Sequence, residues 1–321
     1  MSENDANQLP DILIQKKKPG RPRKRIDNVS HEINGIAKKP LDEDSIMESL
    51  YDNPKIFKKI FSLFKSYSST EILMRFDKDK YHFITRGHTK KTIQHATIRG
   101  SMLNHYYCEE ELECCVRCEK LEKIFSSFDR ASHRVTFMLK RDDYRSTFHI
   151  FVKDDEMYRE DHYEIELIQK DIDLGNVDYS DVEYPLKFRM PSKHFKQSIG
   201  DISHLSPMFS YRSMKGEPLS ITYNLKNNLN CYSKYMDKDK LNLISKIAPD
   251  DIFTVNVKIA HVKPFSNACL GEYIWVACDM RKPTSFTTEI DEKRIDKAGC
   301  PTEKGYVCQI KVYMEVSDDI V

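Results

Sequence analysis

The sequence predicts an α+β protein built of two similar halves. Three observations carry that prediction. Runs of alternating apolar and polar residues, the signature of half-buried strands, recur along most of the chain. Four short lysine-bearing segments with helical spacing interrupt them. The third is a repeat: Phe57-Lys58 and Lys123-Ile124-Phe125-Ser126 return as Phe195-Lys196 and Lys263-Pro264-Phe265-Ser266. The offsets are about 138 to 140 residues in both cases, so both helices of each half fall in register. A length of 321 residues fits two domains. The expected division is a basic tail over 1–44, a first domain over 45–168, a connector over 169–184 and a second domain over 185–321.

Composition narrows the class. The chain is 40% hydrophobic and 31% charged, with 51 basic and 50 acidic residues, so any polyanion partner must be read from charge distribution. No apolar run approaches the roughly 18 residues of a membrane span. The polar, acidic N-terminus has no signal-peptide pattern. The 9 cysteines are odd in number and irregularly spaced, which predicts reduced thiols in an intracellular compartment.

The tail, residues 1–44, lacks periodicity and is expected to be disordered. It contains Lys16-Lys17-Lys18-Pro19-Gly20-Arg21-Pro22-Arg23-Lys24-Arg25. A Gly-Arg-Pro core flanked by basic residues resembles an AT-hook, whose arginines, here Arg21 and Arg23, enter the narrow minor groove of A·T-rich DNA. A nuclear-localisation or non-specific polyanion-binding tail has the same composition.

Ile46 to Tyr51 reads as a strand. Asn53-Pro54 then offers a helix entry, with Asn as cap and Pro at the first helical position. In the helix that follows, Ile56, Phe57, Ile60, Phe61, Leu63 and Phe64 supply an apolar face. Lys55, Lys58, Lys59 and Lys65 lie largely opposite, with no acid in the segment. A solvated helix face normally mixes signs; an all-lysine face in a near-neutral protein fits a polyanion partner better.

Strand-like runs follow at EILMRF, KYHFITR, KTIQHATI and Leu112–Arg117. Leu121, Ile124, Phe125 and Phe128 then stand at helical spacing, with Lys120 and Lys123 among them. RVTFML, STFHIFV and HYEIELIQ complete the first half. The second half opens with Leu186–Met190 and a helix over Lys193–Ile202 entered through Ser192. MFSYRS, LSITYNL, NLNCYSKY and Ile252–Val257 lead to a helix over Lys258–Cys269, which Pro264 should shorten or kink. Tyr273–Cys278, Ser285–Ile290 and Tyr306–Met314 end it, with Lys293–Lys304 read as an insertion. Between the halves, Leu174, Val177, Tyr179 and Val182 stand in an acidic, Gly-broken connector. They either pin it to the sheet beneath or rim a pocket for an apolar anchor of a partner peptide.

No catalytic constellation is present, and no metal or cofactor is expected. There is no Walker A loop and no GxSxG. Cys108, Cys114, Cys115 and Cys118 invite a zinc reading, but strand alternation points Cys114 and Cys115 to opposite faces and no second pair lies nearby.

The stretch Tyr163–Leu205 carries a family resemblance. Tyr163-Glu164-Ile165, Asp173-Leu174-Gly175, Tyr184, Met190-Pro191-Ser192, Phe195 and Asp201-Ile202-Ser203-His204 resemble the middle of proliferating cell nuclear antigen (PCNA), the replication sliding clamp. Phe57-Lys58-Lys59-Ile60 with Lys65, and Thr97-Ile98-Arg99 with Tyr106-Tyr107-Cys108, extend it over roughly residues 45 to 316. The basic tail, Tyr51-Asp52-Asn53-Pro54, Asn104-His105-Tyr106-Tyr107 and Val255–His261 resemble the clamp-like proteins of African swine fever virus and related large DNA viruses.

The resemblance implies a non-enzymatic processivity factor: three copies closing a ring around duplex DNA, helices lining the hole and antiparallel sheets outside. It implies phosphate contacts from Lys55, Lys58, Lys59, Lys65, Lys120, Lys123, Lys193, Lys196, Lys258 and Lys263. Subunits would pair through strands at about Arg159–Glu166 and Asn228–Tyr235, involving Tyr163, Ile165, Cys231 and Tyr232. Polymerases, ligases or nucleases would dock short peptides at the connector pocket. The expected compartment is the reducing host cytoplasm, with the nucleus a second possibility. Two other readings compete: a monomeric or dimeric clamp-fold accessory protein that closes no ring, and an unrelated enzyme or transcription factor guided by the tail. The connector between Leu174 and Tyr184 is longer than in usual clamps, and Gly200 stands where clamps often carry Arg.

Overall fold

The computed structural model describes residues 35–127, 133–169, 183–214, 217–225, 230–234, 241–247, 251–295 and 301–315. These belong to one compact unit, Ile33–Val321. It is mixed α/β, with four α-helices on extensive antiparallel sheet among the described residues.

The first half runs β1 (Ser45–Tyr51), α1 (Lys55–Ser66), β2 (Glu71–Phe76), β3 (Lys80–Arg86), β4 (Thr92–Arg99), β5 (His105–Cys108), β6 (Leu112–Arg117), α2 (Cys118–Ser126), β7 (His133–Lys140), β8 (Thr147–Asp154) and β9 (Arg159–Glu166). The second runs β10 (Leu186–Pro191), α3 (Ser192–Ser203), β11 (Met208–Ser213), β12 (Ser220–Asn224), β13 (Asn230–Lys234), β14 (Ile244–Ser245), β15 (Phe253–Lys258), α4 (Ile259–Ala268), β16 (Tyr273–Cys278), β17 (Thr284–Ile295) and β18 (Pro301–Met314). The order of strands and helices is the same in both halves.

Pairing repeats as well. Strands β5-β1-β7-β8-β9 form one run and β14-β10-β16-β17-β18 its counterpart; β4-β3-β2-β6 and β13-β12-β11-β15 form the second matched pair. One strand pairing links the sheets of the two halves among the described residues. The C-terminal strand β18 lies antiparallel to β4, with Cys308 opposite Ile98 and Met314 opposite Thr92, making a nine-stranded sheet. At one end of the joint the Arg99 guanidinium lies 3.5 Å over the Tyr306 ring. At the other, Lys91 pairs with Glu315 at 2.5 Å. Because β18 corresponds to β9 and β4 to β13, each half owns a copy of both partners in this joint. Among the described residues, β9 and β13 are paired on one side only.

The core sits between helices and sheets. Phe57 is 1% exposed and meets Tyr51, Phe61, Phe83, Phe125 and Phe137, with ring centroids 4.7 to 6.5 Å apart. Its counterpart Phe195 is also buried, against Phe286. Phe125 and Phe265 are the buried pair in α2 and α4. The repeated Phe-Lys motif therefore has one physical meaning in both halves: the aromatic anchors the helix and the lysine beside it faces outward.

Several expectations change in detail. Pro54, rather than Asn53, stands at the α1 N-cap and makes no side-chain cap bond. Ser192 is the first helical residue of α3 and its buried hydroxyl lacks a hydrogen-bond partner among the described residues, so it does not cap the helix. Pro264 lies inside α4, which still runs ten residues and ends at Cys269 in the left-handed region, φ 45°. In the segment read as an insertion, the described residues extend the β17–β18 pairing, with Lys293 opposite Lys304 and Ile295 opposite Pro301. The tail attaches to the fold earlier than residue 44. Ile36 bridges Tyr106, the Ala37 N–H donates to the Tyr106 carbonyl at 2.7 Å, and the Leu41 and Asp42 N–H groups donate to buried Glu48. The sequence reading missed β14, whose two residues are too short to show a period.

Candidate nucleic-acid interface

The four helices pack side by side in the order α2, α1, α4, α3. Tyr67 fastens the centre of this layer: its hydroxyl donates to the His261 carbonyl at 2.8 Å, tying the end of α1 to α4. Each helix turns its apolar stripe to the sheets. What remains outward is rich in lysine. Lys55, Lys59 and Lys65 on α1 are exposed and Lys58 is half-buried. Lys123 on α2, Lys193 and Lys196 on α3, Lys258 at the start of α4 and Lys263 within it are exposed; Lys120 is half-buried. The acids on the same four helices are Glu119, Glu122 and Asp201. A chain with a net charge of +1 thus gathers positive charge on its helices.

Two features temper that charge. Lys65 pairs with Glu122 of the neighbouring helix at 2.8 Å, so the sequence of α1, which has no acid of its own, overstates its free charge. Across the α3–α4 contact, Lys196 donates to the Asn267 carbonyl at 3.3 Å and Lys263 to the Ser203 hydroxyl at 3.2 Å. These bonds hold the two ammonium groups at fixed places while leaving both lysines exposed. The layer can bind polyphosphate by charge; it offers no planar, bidentate arginine set of the kind that reads base edges.

The remaining predicted positions divide. Tyr163 and Ile165 lie on β9, as expected, but Ile165 is 2% exposed and faces the core, so only its backbone is available at the edge. Cys231 and Tyr232 lie on β13. Arg21, Arg23, Leu174, Val177, Tyr179 and Val182 fall outside the described residues. Tyr184, at the connector's end, donates from its hydroxyl to the Pro283 carbonyl at 3.1 Å, fixing that end to the β16–β17 turn.

The eight described cysteines are free thiols. Burial pushes Cys108 up to about 11 and Cys118 up to about 12, which keeps both protonated at neutral pH. Among the described residues no helix is long and apolar enough to cross a membrane.

No protein-family model matches the chain. Among curated proteins, it is 30% identical over 281 residues to an "uncharacterized protein" of African swine fever virus isolate Pig/Kenya/KEN-50/1950, covering 85% of this chain and 93% of the relative. The same figures hold for the corresponding protein of isolate Warthog/Namibia/Wart80/1980 and of strain Badajoz 1971 Vero-adapted. The chain belongs to this African swine fever virus protein family. The match spans 281 residues, more than either half of this chain, so the relationship to the viral family includes both. Sequence reasoning missed Tyr67 and the Arg99–Tyr306 contact as organisers of the helix layer and the joint in this member of the viral family. Their only local signal is an aromatic at a helix end and a basic residue at a strand end.

Proposed function

We propose that this protein is a DNA sliding clamp, a non-enzymatic processivity factor that encircles duplex DNA and tethers polymerase and other replication or repair proteins. The observation that carries the reading is the β18–β4 joint between two halves of identical element order. A protein whose internal joint has a spare copy of each partner, β9 and β13, can repeat that joint between molecules. Repetition would cover the β9 and β13 edges of every copy when the assembly closes on itself, which removes two of the exposed edges that invite aggregation. The resemblance to PCNA implies three copies. The lysine-bearing helix layer would face the phosphates, and sequence-independent charge contacts suit a protein that must slide. Partner peptides would dock at the connector, with Leu174, Val177, Tyr179 and Val182 as apolar contacts.

Two measurements test this. Light scattering at micromolar concentration should give the mass of a trimer, and Tyr163→Ala should weaken it. Retention on DNA should depend on topology: the protein loaded on a nicked circular plasmid should stay bound through a salt wash and be lost once the plasmid is linearised. A monomer that leaves circular and linear DNA equally fast would overturn the ring and leave an open clamp-fold accessory protein.

A further inference from the structure

On the face of the β8–β9 ladder turned away from the core, three potential ligands meet. The register sets His149 opposite Glu164 and Phe151 opposite His162. Strand alternation puts these four side chains on one face, while Phe148, Ile150, Val152 and Ile165 point to the core on the other. One ligand atom each from His149, His162 and Glu164 lies within 4.8 Å of the others.

The pair of histidines is held from both sides. His149 is buried, and its Nε2 lies 2.9 Å from the Asp143 carboxylate. An Nε2–H donated there leaves the lone pair on Nδ1, which faces His162 Nε2 at 3.0 Å. A carboxylate behind an imidazole is the arrangement that orients metal-binding histidines and raises their basicity. His162 lies flat on Phe151, centroids 4.2 Å apart and planes 5° apart. Glu164 Oε1 stands 3.8 Å from the far nitrogen of His162, with its side chain largely in solvent.

We propose that His149, His162 and Glu164 form a zinc site on the outer face of the β8–β9 edge, with Asp143 as the positioning residue behind His149. Two imidazoles and one carboxylate suit Zn²⁺ better than the oxygen-loving Mg²⁺ or Ca²⁺. Three protein ligands leave a fourth position for water. Zinc at about 2.0–2.1 Å from each nitrogen, at a near-tetrahedral angle, needs the nitrogens about 3.3 Å apart. They stand slightly closer, at the spacing of an N–H···N hydrogen bond. Metal binding therefore exchanges that hydrogen bond for two coordinate bonds, by a small outward turn of His162 on its edge strand. The site is separate from the helix layer but lies on β9, the strand proposed to pair between subunits.

The test uses Co²⁺ as a spectroscopic stand-in for zinc on the full chain, with zinc competition by calorimetry. The expected result is one metal per chain, visible bands of near-tetrahedral cobalt without a thiolate charge-transfer band, and displacement by zinc. His162→Ala and Glu164→Gln, both at exposed positions, should each weaken binding at least about ten-fold, and Asp143→Asn about 10- to 100-fold. Wild-type protein that binds no cobalt, bands unchanged in both His162→Ala and Glu164→Gln, or a thiolate band pointing to the cysteines would each overturn the site.

Discussion

His95 shows how one half-buried residue can report on the joint between the halves. It sits on β4 opposite Lys311 of β18, and its Nε2 lies 2.9 Å from His82 Nδ1. Burial, reinforced by the positive charge that His82, Lys311, Arg75 and Lys80 would set against it, lowers its pKa to about 3. Burial also lowers His82, against the opposing pull of Asp77. In the unfolded chain both regain ordinary histidine values near 6.5. Between about 6.5 and about 3 the unfolded state therefore binds more protons than the folded one, so stability is full above this window and is lost as pH falls through it, by up to about 1.4 kcal/mol per pH unit for His95. Denaturant midpoints measured from pH 7 to pH 4 should fall for the wild type and fall less for His95→Gln. Equal slopes would mean that His95 protonates without hindrance and is not buried at the joint.

At the scale of elements, the strands and helices were largely legible because each half-buried strand alternates and each helix carries a clean apolar stripe. Phe57 and Phe195 marked the helices since aromatic anchors must face the core wherever a helix crosses a sheet. The limits were physical too. Ser192 looked like a cap because caps are read from residue type, yet a Ser one position inside the helix cannot serve. Lys65 looked free because its acid, Glu122, lies on another helix. The candidate site was legible as lysines on helices but not as one layer, since α1–α4 packing joins residues far apart in sequence. That layer gives a direct expectation. Converting Lys58 and Lys59 to Glu should lower duplex affinity and flatten its salt dependence, by roughly 0.9 in log–log slope for each phosphate no longer neutralised. Circular dichroism should show the fold intact, because Lys59 is exposed and Lys58 half-exposed. Unchanged affinity in fluorescence anisotropy would remove α1 from the interface. Residues 36–42, within the stretch that composition assigned to the tail, bond to the fold. Deleting residues 1–34 should leave thermal stability intact, whereas deleting 1–44 should lower it. The longer deletion strips the buried Glu48 carboxylate of two backbone donors, and burial already raises its pKa. Matching melting temperatures for the two truncations would show that residues 35–44 add nothing to the fold.

At the scale of the whole molecule, the β18–β4 pairing and the α1–α4 contact hold the two halves together. The duplication makes each half a near-copy of the other in topology, and the joint uses one end of each. The same economy has a consequence in time. Strand β4 is complete once residue 99 has been made, but its partner β18, the last of the described strands, ends at Met314. During synthesis the β4 edge therefore waits, unpaired, while more than half of the protein is still to come, and it is the edge built to accept a strand. Pairings of such long sequence separation form late and slowly, and open edges that wait are where nascent chains misassociate. Chains halted before Pro301 should accordingly collect as β4-mediated aggregates, and supplying a peptide of the β18 sequence in trans should disperse them. The strand that finishes the sheet would then also be the one that ends the chain's vulnerability on the ribosome.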